Sequence, residues 1–189
     1  MNDESRQAQE TLDYIRKTME SAGSFTAVSG WGMLAVGTIG LAAAAAAWQL
    51  GDAAALRIWL PAASLAIAIS LVANGGKAKR IGVPLWSGAL RKLAWVMAPA
   101  LAAGTMLTFA MHEAGVEHLL PGTWLALYGA GVTAGGTLSI RAIRWMGMAM
   151  LGLGLVAFLQ PDWGAILLAV GFGFMHLAFG ARLVTRHGG

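Results

Sequence analysis

The sequence predicts an all-α, polytopic membrane bundle of six transmembrane helices, preceded by an amphipathic cytoplasmic helix. Three observations predict it. The chain is 57% hydrophobic and only 12% charged, with a mean hydropathy of +0.64, which is far from the balance of a soluble domain. Stretches 21–51, 58–76, 93–112, 119–140, 145–161 and 163–181 contain no Asp, Glu, Lys or Arg, and each approaches or exceeds the ~20 helical residues that cross a hydrocarbon core of ~30 Å. None alternates with period two as a barrel strand would, so helices that satisfy their own backbone are the reading left. Finally, the bases sort by loop.

The segment before the first span is a different material. In "SRQAQETLDYIRKTMESAGSF", Ala8, Leu12, Ile15 and Met19 recur at spacings of four, three and four, and Gly23 stands where a helix would be capped. This predicts an amphipathic helix over about 4–21, with Asp13 four positions ahead of Lys17 as a supporting pair. Its narrow apolar stripe suits packing on the bundle or the membrane edge, or a partner helix, and its surplus of acids disfavours an anionic membrane surface. The first twenty residues are charged and the first apolar stretch has no cleavage site after it, so the first span is expected to stay in the protein. The organisation expected is 1–24 as helix and linker, 25–183 as the six-helix domain and 184–189 as a tail.

Twelve of the thirteen bases fall in the N-terminal segment, the second and fourth loops (Lys77, Lys79, Arg80, Arg91, Lys92, Arg141, Arg144) and the C-terminal tail (Arg182, Arg186). The odd loops carry Asp52, Glu113, Glu117 and Asp162, and the exception, Arg57, is expected near one of those acids. By the positive-inside rule both termini lie in the cytoplasm. Trp31, Trp95 and Trp145 mark the inner ends of spans, and Trp48, Trp59, Trp124 and Trp163 the outer ends, as aromatic belts. The basic charge is thus topology and calls for no nucleic acid.

Laid in pairs, the spans suggest three parallel two-helix repeats, 29–80, 93–141 and 145–183. Each odd span opens on tryptophan and methionine ("WGM", "WVM", "WMGM") and has glycine nine positions after its tryptophan, at Gly40, Gly104 and Gly154. Each even span has a proline near its start, Pro61, Pro121 and Pro161, where a first helical turn tolerates it. The alternative is that any hairpin needs belts and caps. Small residues predict the packing faces: Gly131 and Gly135 in span four, Ala62, Ala66 and Ser70 in span two, Ala165, Ala169 and Gly173 in span six. Pro99 is expected to bend or loosen span three.

The combination "YIRKTMESAGSFTAVSGWG", "GVPLWSG", "LYGAGVTAGG" and "GFGFMHLAFG" resembles an uncharacterised family of small bacterial six-span inner-membrane proteins. The glycine-rich hairpin 145–183 is similar in form to the HdeD-type acid-resistance membrane proteins. The resemblance implies a bacterial inner-membrane location and supplies no catalytic residue, substrate or cofactor.

Chemistry in a membrane bundle is sought first at ionisable groups held at depth. The six stretches hold no carboxylate, so a carboxylate relay for ion-coupled transport is missing; backbone oxygens with Thr38, Thr105, Thr108 and Thr133 are what sodium would have. The absence of cysteine excludes disulfides, thiolate catalysis and cysteine-ligated metals. His176 lies at a different depth from His112 and His118, so no histidine pair can share a haem, and Met146, Met148 and Met150 alternate around a helix instead of lining a copper path.

The cluster "MHEAGVEH" offers His112, Glu113, Glu117 and His118 as metal ligands, but it lacks the HExxH spacing that places two histidines on one helical face. The reading favoured is a solvated outer connector, broken at Gly115; the alternative is an opportunistic divalent site. No GxSxG motif or phosphate-binding glycine loop is present, so no enzyme activity, cofactor or dedicated metal is expected. What remains is an accessory or sensory membrane component acting through residues 4–21, with lipids and a membrane or cytoplasmic protein as partners. The alternative is a small passive transporter, channel or lipid-binding protein; a homo-oligomer is compatible with either.

His176 is the buried polar candidate. Ala169, Gly173, His176 and Gly180 recur at spacings of four, three and four, which predicts a histidine on the small-residue face of span six. Counting from the basic residues puts Ser70, Thr133 and Thr137 at its level. A neutral imidazole in hydrocarbon needs a partner, so the histidine is expected to bond one of these hydroxyls or a backbone carbonyl; the alternative is a ligand-binding or pH-sensing group.

Overall fold

The computed structural model describes residues 7, 9–12, 28–80, 88–138 and 141–187, and these are almost wholly helical, with no strand among them. The helices are α1 (Gly30–Leu50), α2 (Asp52–Arg80), α3 (Gly88–Glu113), α4 (Leu120–Gly135), α5 (Arg141–Leu159) and α6, a continuous helical run over Pro161–Arg186. All but α4 are long and apolar enough to cross a membrane, which marks a membrane protein. At 16 residues α4 is about 24 Å long. It is flanked without a break by 3-10 turns over Glu117–Leu119 and Gly136–Leu138, which bring the helical rod to about 36 Å. Residues 7 and 9–12 are helical and exposed; the rest of the amphipathic helix expected over 4–21 lies outside the described residues.

Local chemistry explains the helix ends. Ser29 caps α1, its Oγ accepting from the Gly32 amide at 3.1 Å, and a run of six alanines after Leu41 carries the helix with the best helix former. Gly51, at φ 80°, turns the chain into α2, and Gly115, at φ 67°, ends α3. At the second turn the Gly115 amide donates to His112 O and the Val116 amide to Met111 O, the paired closing bonds of a Schellman motif. Pro121 stands in the first turn of α4 and Pro161 in the turn that opens α6, as expected. Pro61 does not: α2 already begins at Asp52, with Arg57 in it, so this proline lies inside the helix.

Two helices organise the packing. α1 lies between α2 and α6, α4 lies between α3 and α5, and the first part of α6 reaches across to α4. The seams α1/α6 and α4/α5 are built backbone to backbone. A Cβ on Gly40 would stand 2.5 Å from the Phe172 carbonyl oxygen, one on Gly30 2.8 Å from the Val184 amide nitrogen, and one on Gly180 2.9 Å from that of Leu34. Across the other seam a Cβ on Gly129 would stand 2.8 Å from the Leu151 amide nitrogen, and one on Gly154 2.8 Å from that of Ala126. Helices in lipid associate by close packing, and only glycine permits this approach. Gly104 meets the ring of Trp124, at 2.9 Å, instead of a backbone.

The core follows from these seams. Leu125 on α4, Met146 and Met150 on α5 and Leu167 on α6 form one buried cluster; Val132, Ile143 and Leu183 form a second. The packing faces differ in part from expectation. Gly131 and Gly135 do pack, against Met97 and Leu93 of α3, but the glycines that meet α5 are Gly122, Gly129 and Gly136. On α6, Ala165 is exposed and Ala169 only half-buried, whereas Gly173, His176 and Gly180 are buried as expected; with them Gly164, Leu167, Gly171 and Leu183 are buried. The step of five between Gly171 and His176 arises because Ala169–Met175 is a π-helix, whose i→i+5 turn holds one more residue than an α-turn.

Candidate functional site

His176 is the first residue after the π segment and is 2% exposed. Its Nδ1 lies 3.0 Å from the carbonyl oxygen of Gly171 and its Nε2 lies 3.0 Å from the hydroxyl of Tyr128. These partners assign the tautomer. A carbonyl only accepts, so Nδ1 carries the proton and donates it to Gly171; Nε2 then accepts from the Tyr128 O–H. The imidazole is neutral with both nitrogens satisfied, which is what burial in an apolar bundle requires. The amide of His176 itself goes to Gly173 O, leaving Gly171 O facing the ring.

Aromatic rings surround this pair. Phe172, one turn before His176, stacks on the imidazole with centroids 6.0 Å apart and planes at 13°. Tyr128 tilts against both, at 5.1 Å from Phe172 and 5.6 Å from His176, and Trp59 of α2 reaches Phe172 at 6.2 Å. The cluster therefore joins α2, α4 and α6. Trp59 and Trp124, expected in the outer belt, are only partly exposed. Trp124 fills the groove at Gly104 and donates from Nε1 to Thr108 Oγ1 at 3.0 Å. Trp48 and Trp163 are exposed at one end, and Trp31, Trp95 and Trp145 at the other.

Of the hydroxyls expected to serve His176, Thr133 and Thr137 are engaged elsewhere, and Ser70 is not its partner. Thr133 bonds Gly129 O and Thr137 bonds Ala134 O within their own helix. Such local bonds satisfy a threonine without help from a neighbour. The partner that sequence reading missed is Tyr128. Its signal was present, since tyrosine combines a large apolar ring with a polar tip that seeks a partner when buried. Gly171 was illegible, because on an uninterrupted α-helix a residue five positions back faces elsewhere.

A second polar cluster ties α1 to α2 at the end rich in bases. The Ser29 amide donates to Asn74 Oδ1 at 2.8 Å, and the buried Lys77 donates from Nζ to Val28 O at 3.2 Å. Gly32 sits against Ala73 there. At the opposite end the Schellman turn at Gly115 brings His112 and Glu117 together, Nδ1 to Oε1 at 2.8 Å, both exposed. Its own backbone amide and the His112 ring hold the Glu117 carboxyl below the ordinary glutamate value. Glu113 and His118 are exposed, and among the described residues no three of His, Cys, Asp or Glu gather as metal ligands. Among the described residues the His112–Glu117 contact is the one pairing of an acid with a base, and none joins Arg57 to Glu113, Glu117 or Asp162; the Asp52 side chain lies outside those described. Family models, curated proteins and solved structures were each compared with the chain, and none matched.

Proposed function

We propose that the chain is a six-span, non-catalytic protein of the bacterial inner membrane, with both termini in the cytoplasm, acting as an accessory or sensory and regulatory component through its N-terminal helix. The observation that carries the non-catalytic reading is the use made of buried polar groups. Ser29, Lys77, Thr108, Thr123 and His176 each make a bond that caps, braces or joins helices. The sixth span is α4, whose 3-10 turns supply the length its α-helical part lacks. The orientation rests on the bases at one end of the bundle and the acids at the other, and the bacterial membrane on the family resemblance.

The reading of three like hairpins draws on two glycine seams, α5 on α4, the even helix before it in the chain, and α1 on α6. Unrelated crossing angles in 29–80, 93–141 and 145–183 would reduce the likeness to composition. A reporter fused after Gly189 should read cytoplasmic. Pulldown from native membranes, with and without residues 1–22, tests the role. A stoichiometric partner lost on truncation is the expected result, and no partner with either form defeats it. The second reading, a passive pathway or small-molecule binder, draws on the aromatic cluster shared by α2, α4 and α6. It calls for solute flux in proteoliposomes.

A further inference from the structure

The buried residues of α6 that face α4 and α5 advance by three at Gly164–Leu167, by four at Leu167–Gly171 and by five at Gly171–His176, with Leu183 seven further on, while Gly173 and Gly180, seven apart, are buried against α1. Steps of three and four keep a residue on one face of an α-helix, where each residue turns about 100°. A step of five does so only across an i→i+5 turn. The π segment therefore carries one extra residue, and that residue keeps the face toward α4 and α5 in line on both sides of it. Before it, Gly164 sits on Pro121 of α4 and Gly171 on Leu125. After it, Gly180 sits on the α1 backbone at Gly30 and Leu34.

We propose that His176 is the pin of a register switch in α6. Its Nδ1–H bond to Gly171 spans the same five residues as the π-turn, and Tyr128 fixes the other side of the ring from α4. A π-turn is rare and its segment here holds Gly171 and Gly173, the poorest helix formers after proline. Nothing in the local propensity of AVGFGFM favours the extra residue; the imidazole does, by spanning it. With the pin withdrawn, Ala169–Met175 relaxes to α-helix. The part of α6 after His176 then turns by about one residue, roughly 100°, against the part before it. Gly164 and Leu167 stay docked on α4 while Gly180 leaves Gly30, so the move is carried to the helix end that bears Arg182 and Arg186. This device is independent of the role proposed above.

The cysteine-free chain allows a direct test. Nitroxides are placed on cysteines at Ile166 and Thr185, both exposed and on either side of the π segment. Their distance is read by pulsed electron resonance in lipid nanodiscs. His176→Ala should displace the main distance by at least about 3 Å, as expected for a turn of this size. Tyr128→Phe, which removes one hydroxyl, should populate the same displaced distance in part. An unchanged distance in both variants, with helix content retained, overturns the proposal. If His176→Ala does not fold, Tyr128→Phe decides alone by the same criterion. A shift in His176→Ala without one in Tyr128→Phe leaves the Gly171 bond as the pin and overturns the part given to the tyrosine.

Discussion

Across the α4/α5 seam a Cβ on Gly129 would fall 2.8 Å from a backbone nitrogen, while around Gly152, on the other side of α5, nothing lies within 4 Å. The same contrast holds for the bundle. The most apolar stretch of α6 is 33% buried and that of α2 not at all; Leu65, Ile67, Leu71 and Val72 of α2 and Met106 and Phe109 of α3 point outward. In water such faces would be a liability. In lipid an exposed leucine loses nothing, and a helix is held only where its neighbour comes close enough for dispersion or offers a hydrogen bond. The difference teaches that stability here resides in glycine and a few polar atoms, and that large apolar residues report which way a helix faces.

The largest expected effect breaks that comparison outright if it fails. Gly40→Val and Gly129→Val each force a side chain into facing backbone, and each should destabilise the fold by about 3 kcal/mol, the upper part of the range for overpacked sites. Gly152→Ala should be neutral or stabilise by up to about 1 kcal/mol, since alanine is the better helix former and meets no neighbour. Reversible unfolding in mixed micelles measures both. Equal effects at seam and outward positions would show that the glycines are there for composition.

Polar joins come next. Tyr128→Phe should lower stability by about 1 kcal/mol, the usual range for an interhelical hydrogen bond in membranes. His176→Gln, which can still donate to Gly171, should lose less than His176→Ala in the same unfolding assay. Ser29→Ala removes an N-cap and should cost about 1 kcal/mol. Ser64→Ala is its outward counterpart, since Ser64 bonds only Leu60 O in its own helix and is exposed. It should change nothing measurable, and a loss equal to that of Ser29→Ala would remove the distinction.

Much of this was legible in the sequence, and what was not has physical causes. The apolar stretches locate the helices, because only length and the lack of charge decide whether a helix suits a bilayer. Gly115 as a break, Pro121 and Pro161 as first turns, and His176 as a buried, bonded group could all be read from local chemistry. The glycines of the α4/α5 seam, Gly122, Gly129 and Gly136, are not marked by GxxxG, because that pattern has a spacing of four and theirs is seven. Trp59 and Trp124 were assigned to the belt by position; each has turned inward to fill space, which spacing from a helix end cannot reveal. Of the partners expected for His176, the backbone carbonyl is found, at Gly171, and the hydroxyls at matching depth on a regular helix are not. The extra residue in the π segment changed the face of everything before it.

The smallest effect lies outside both regions, in the exposed turn between α3 and α4. Glu117 accepts from its own amide and from His112, so its carboxyl is held below the ordinary value of 4.5 in the folded protein. A carboxylate whose folded value is depressed contributes stability that is fully present above the unfolded value and is lost as pH falls through the folded one. Wild type should therefore be slightly more stable than Glu117→Gln near about pH 7, and the gap should close on acidification below 4.5. Both partners are exposed and screened by solvent, so the difference is a fraction of that expected at any seam. It is read as the difference in unfolding midpoint between the two proteins at the two pH values. A gap that persists in acid would mean that the glutamate side chain packs instead of pairing. A gap that closes while the Gly129→Val penalty stays constant with pH would show that the turn titrates apart from the bundle it connects.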